Sequence, residues 1–95
     1  MTNHAALSDA LLRAADAMHA DLTLDADRAL RLAIWGDTDA EPPGDTEADL
    51  HRAALTAIAE LCNTQPDQVA GLAHGRAQMA ARIASSRAAV HAHRG

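Results

Sequence analysis

Ninety-five residues and 9.9 kDa leave room for one hydrophobic core and exclude a second. Alanine fills 25 positions and leucine 11, whereas Phe and Tyr are absent and Trp occurs once, so an all-β or α/β domain lacks the bulky and β-branched residues it needs. Thirteen acids face eight arginines and no lysine, a net charge of −5, which has the wrong sign for a protein that coats nucleic acid.

Leu7, Leu11, Ala15, Met18 and Leu22 recur on one face of a helical wheel, and Asn3 or Ser8 can cap the first turn, which predicts a helix over 5–21. Thr23 to Asp25 form a second start signal. Ala26, Leu30, Ala33 and Ile34 then line one side up to Gly36, a residue suited to the left-handed conformation that ends helices, giving a short helix over 25–35. Residues 36–46 hold Pro42, Pro43 and four acids without an apolar period, and read as an extended, solvated loop. Thr46 with Asp49 approximates a capping box for a helix over 47–62, whose stripe is Leu50, Ala54, Ala57, Ile58 and Leu61, with Asn63 as terminator. Thr64 and Pro66 restart the chain as cap and first-turn proline, and no later proline interrupts it. One long helix is therefore expected over 66–92, about 40 Å from end to end and overhanging its neighbours. The expected fold is all-α: a small four-helix bundle in one domain, 1–95, with a long C-terminal helix that dimerisation could complete.

Charge is unevenly laid out. Residues 1–49 carry eleven acids and three arginines, net −8, and residues 50–95 carry two acids and five arginines, net +3. Packing of the last helix on the first two satisfies this within one molecule, and contact between molecules satisfies it equally. Val69, Leu72, Met79, Ile83 and Val90 take a/d-like positions in that helix, with Arg76 and Ser86 interrupting the seam. Arg76, Arg87 and Arg94 lie within about 20° of one another beside this stripe. Their stems can pack on apolar surface while the guanidinium reaches an edge, or they can pair with carboxylates of a partner. The other face, with Gly71, His74, Gly75, Gln78, Ser85 and Ala89, is built of small or weakly polar residues that either admit a closely packed helix or simply face solvent. Trp35 groups with Leu24, Arg28 and Arg31, about 100° from Leu30 and Ile34. It is either the largest core residue of a sandwiched helix or a ring exposed over Arg31 as an interface anchor.

Motifs for chemistry are missing. Asp16 with His19, Glu47 with His51, and His91 with His93 are spaced as ligand pairs, but no Glu-x-x-His occurs and Cys62 has no short-spaced partner, so no metal or cofactor is expected. His51 reads as a hydrogen-bonded core histidine. Ser8, Ser85 and Ser86 lie outside any Gly-x-Ser-x-Gly turn, Cys62 sits about 16 Å along a helix from His51, and no phosphate-binding glycine loop is present. No catalytic residue and no enzymatic activity are expected. Length and acidity resemble acyl carrier proteins, yet no serine lies between Ser8 and Ser85 to receive a phosphopantetheine arm, and no site is carried over. A single cysteine, no basic-then-apolar leader and no long apolar run point to the cytoplasm and away from a membrane.

These residues point to a non-enzymatic helical protein–protein interaction module, a regulator, adaptor or assembly partner acting through its C-terminal helix. Its expected partner-binding residues are Trp35, Arg31, Arg76, Met79, Ile83, Arg87 and Val90. The partner is a protein or a second copy, with a homo-oligomer expected and direct nucleic-acid binding disfavoured. The alternative is an acidic inhibitor, or nucleic-acid mimic, whose Asp25, Asp27, Asp37, Asp39, Glu41, Asp45, Glu47 and Asp49 block a cationic groove of a nucleic-acid-processing protein.

Overall fold

The computed structural model describes residues 3–94, which are helical without a strand among them. The first helix, α1 (His4–Ala20), starts where Asn3 Oδ1 accepts the amides of Ala5 and Ala6 at 3.0 and 3.2 Å, so Asn3 rather than Ser8 is the cap. Its apolar face buries Leu7, Leu11, Ala14, Ala15 and Met18. Leu22, expected on the same stripe, lies past the helix end and is 76% exposed. Next comes α2 (Ala26–Trp35), capped by Asp25 Oδ1 on the Arg28 amide at 2.8 Å and closed by Gly36 at φ +77°. A side chain strains the backbone there, which is why glycine ends this helix.

The third helix, α3 (Asp45–Leu61), begins two residues earlier than its sequence signals suggest. Gly44 stands at its cap position without a side-chain hydrogen bond, and Thr46 is inside the first turn, where its hydroxyl no longer precedes the amides it was expected to cap. Acids Asp45 and Glu47 in that turn complement the helix dipole instead. At the other end Asn63 takes the left-handed region at φ +54°, and the Thr64 amide returns to the Ala59 carbonyl at 3.0 Å.

The expected helix over 66–92 is broken. Pro66–Gly71 forms a 3₁₀ turn, Leu72 is extended at φ −69° and ψ 148°, and only then does α4 (His74–Arg94) begin. Two glycines, Gly71 and Gly75, weaken helix formation at this point, and the bend lets Val69 become fully buried beside α2 and α3 while α4 turns away along α1. A 21-residue α4 is about 32 Å long, within the 35 Å longest extent of the molecule, and does not overhang its neighbours as expected.

Helix α4 runs antiparallel to α1 in the most extensive helix pairing of the molecule. Its buried side is a seam of Ala77, Ala80, Ala81, Ala84 and Ala88, with Ser85 among them. The Ser85 hydroxyl donates to the Ser8 carbonyl at 2.7 Å, and the Ser8 hydroxyl donates to the Ser85 carbonyl at 2.9 Å. Side chains this small let the two backbones approach closely, so the nearby helix anticipated for Ser85 and Ala89 is α1. The core centre is Leu11, Met18, Leu30, Ile58 and Val69, one or more from every element except α4, which contributes only its alanines and Ser85.

Candidate interaction surface

The residues singled out for binding fall into two places. The first is built around Trp35 at the end of α2. Its Nε1–H donates to the Ala40 carbonyl at 3.2 Å, its ring meets His51 of α3 edge-on at 5.4 Å between centroids, and the Arg31 guanidinium lies 5.8 Å from its ring centre. Arg31 also donates to the Ala40 carbonyl at 3.3 Å and pairs with Asp27 at 3.3 Å, while the other carboxylate oxygen of Asp27 lies 2.7 Å from His51 Nε2, within hydrogen-bond distance. Trp35 is therefore not the largest core residue of a sandwiched helix: it is half-buried at the edge of the core, with Arg31 over its ring. The cluster ties α2, α3 and the following loop together, leaving no unfilled hydrogen-bonding edge on the indole.

That loop is not the free, extended segment expected. Asp37 Oδ1 accepts the amides of Asp39 and Ala40 at 2.9 and 3.1 Å, and Arg28 pairs with Asp39 at 3.5 Å. Such an Asx turn folds the chain back so that Ala40 meets Trp35. Of the eight acids proposed to mimic nucleic acid, Asp25, Asp27, Asp37 and Asp39 thus have partners inside the molecule.

The second place is the outer face of α4. Met79, Ile83 and Val90 are 65%, 43% and 52% exposed, and a helical wheel puts them directly opposite the alanine seam. Of the heptad positions read from the sequence, Met79, Ile83 and Val90 keep their helical spacing, but they point outward, because α1 packs on the smaller residues of the other side. Val69 and Leu72, expected to continue this seam, belong to the 3₁₀ turn and its exit and pack inward. Arg76 donates to the Cys62 carbonyl at 2.8 Å and so neutralises the end of α3. Arg82 pairs with Asp16 of α1 at 3.2 Å, and Arg87 has no ion pair among the described residues. The side chain of Arg94 lies outside the described residues. Thus Arg76, Met79, Ile83, Arg87 and Val90 share one surface, and Trp35 with Arg31 forms another.

Sequence reasoning missed a cleft between α3 and the α1–α4 pair. This open cleft has a volume of about 300 Å³, and its lining includes Leu7, Ala57, Leu61 and Ala88 together with the charged Glu60 and Arg87. His4 and His91, also in its lining, stack with 5.2 Å between centroids. Eighty-seven residues of sequence separate these two rings, so only their helical phase could have hinted at the contact. No group of three or more His, Cys, Asp or Glu side chains is placed to hold a metal ion among the described residues, and no described helix is long and apolar enough to cross a membrane. Comparison with protein-family models, with curated proteins and with solved structures gives no match to this chain.

Proposed function

We propose that this chain is a cytoplasmic, non-enzymatic helical interaction module, a regulator, adaptor or assembly partner whose four α-helices work as a bundle that presents the outer face of α4. The observation that carries the reading is the double apolar character of α4. Its alanine seam is consumed by α1, yet Met79, Ile83 and Val90 stand in line on the far side, over half of two of these side chains in water. Isolated exposed aliphatic residues are ordinary, but three at heptad spacing on one helix form a ridge that another helix can cover. Trp35 and Arg31, satisfied by Ala40, Asp27 and His51, serve in this reading to hold α2, α3 and the loop rigid behind that face.

Site-specific photo-crosslinking tests it. A photoreactive residue replacing Ile83 should give a discrete protein adduct in cells, whereas the same residue replacing the exposed Arg13 of α1 should not. The adduct should vanish when Met79 and Val90 are changed to Glu. Absence of an adduct at Ile83, or equal adducts at Ile83 and Arg13, rejects α4 as the docking face.

A further inference from the structure

Resting on that reading, we infer that the outer face of α4 takes an acidic amphipathic helix of another protein. Arg76, Met79, Ile83, Ser86 and Val90 follow one another at spacings of three, four, three and four, the register of a two-stranded seam. Met79 to Val90 spans about 16 Å, three turns, which matches a short helix rather than a broad surface. Two arginines flank this line in the positions that choose a coiled-coil partner by charge: Arg87, one residue after Ser86 and without an ion pair among the described residues, and Arg82, one residue before Ile83, whose pair with Asp16 of α1 is exposed and exchangeable. The helix from His74 to Arg94 contains no acid at all.

That charge distribution selects among occupants. A second copy docking α4 against α4 offers no carboxylate, and in a parallel pairing sets Arg82 of one helix against Arg87 of the other. The acids of the N-terminal half are a poor substitute, since Asp9, Asp16, Asp27, Asp39 and Asp49 pair with arginines of the molecule and Asp21, Asp25 and Asp37 accept its backbone amides. Duplex or single-stranded nucleic acid would meet the arginines but leave an aliphatic line facing phosphates. An anionic membrane favours a wider apolar face with aromatic anchors, whereas α4 shows three aliphatic residues outward and no Trp or Phe. A helix with Leu, Ile or Val along its seam and Glu or Asp on its shoulders covers the ridge, gives Arg87 a carboxylate and offers Arg82 a second one beside Asp16.

The test uses the full chain as bait for a display library of random helical peptides. Enrichment of peptides with an aliphatic seam and acidic shoulders supports the inference. For one such peptide, binding followed by fluorescence anisotropy should weaken by about tenfold or more between low and high salt. Arg87→Glu should weaken it by a similar factor, and exchanging the facing Glu of the peptide for Lys should restore affinity to that variant. Ile83→Gln reports on the ridge alone, and circular dichroism confirms that each variant is folded. Enriched peptides that need Ile83 but carry neutral or basic shoulders overturn the acidic partner while keeping the docking face. No enrichment that depends on Ile83 overturns both. A stable dimer in light scattering, or co-flotation with phosphatidylserine vesicles that is lost in the Met79 and Ile83 variants, assigns the face to self-association or to membrane and likewise overturns the inference.

Discussion

Trp35 touches three groups at once: the Ala40 carbonyl, the Arg31 guanidinium and the His51 ring. Trp35→Phe retains a ring for Arg31 and His51 but removes the donated hydrogen bond, which should cost about 1 kcal/mol in a urea melt. Trp35→Ala loses the ring as well and should cost about 2–3 kcal/mol, below the figure for a fully buried aromatic because the indole is half-buried. Equal losses in the two variants would mean that the ring contributes nothing beyond its hydrogen bond to Ala40. Asp21, just after α1, gives a prediction in pH. Its carboxylate accepts the Thr23 hydroxyl at 2.6 Å and the Thr23 amide at 3.0 Å, and these bonds hold its pKa below the ordinary carboxylate value, with His74 adding a smaller favourable charge. Because the folded-state pKa is the lower one, the associated stability is present above the ordinary carboxylate range and is lost as pH falls through the depressed value. Thr23→Ala should therefore raise the Asp21 pKa in an NMR titration of the carboxyl carbon; an unchanged value would assign the depression to the amide.

Each α-helix was legible where its own sequence decides it, and obscure where a distant neighbour does. Asn3, Asp25, Gly36 and Asn63 act within a few residues of themselves, so their roles as caps and stops could be read directly. The break at Leu72 could not, because nothing local forbids Gly71 in a helix; the reward for breaking is the burial of Val69 against α2 and α3, which no periodicity records. The same holds for α4. Large apolar residues attract a reading as the buried face, and Met79, Ile83 and Val90 outweigh alanines on any hydropathy scale, yet α1 comes so close at Ser8 and Ser85 that only alanines fit between. Within the candidate surface, the common phase of Arg76, Met79, Ile83, Arg87 and Val90 is legible because helical phase is local, whereas the Asp27–His51 contact beside Trp35 joins residues 24 positions apart and leaves no signal. Close packing at the seam makes a sharp prediction. Ala81, fully buried, changed to Leu should destabilise the fold by about 1–3 kcal/mol through overpacking, while Ile83→Gln, two positions along the same helix, should change stability by no more than about 0.5 kcal/mol. Reversed magnitudes in thermal unfolding would place Ile83, not Ala81, inside.

At the scale of the molecule, the question is what holds a basic α4 on an acidic remainder. Opposite charges of −8 and +3 in the two halves suggest attraction. Among the described residues, however, the one ion pair between α1 and α4 is Asp16–Arg82, whose side chains are 64% and 41% exposed. Exposed pairs of this kind contribute little, since water and salt screen them and two long side chains must be immobilised. The Ser8–Ser85 hydrogen bonds and the alanine seam are insensitive to salt and run along the helix pair. Unfolding by urea should thus shift by less than about 1 kcal/mol between low salt and about 0.5 M sodium chloride. A larger loss of stability in salt would show that charge segregation, rather than apolar contact, fastens α4. Under the proposed docking, the outer face should behave in the opposite way, because no acid of α4 itself opposes its arginines and the docked helix would supply the carboxylates. Salt that leaves the fold intact while it dissociates the bound helix separates the two sides of α4: one closed by small side chains, the other kept open by charge.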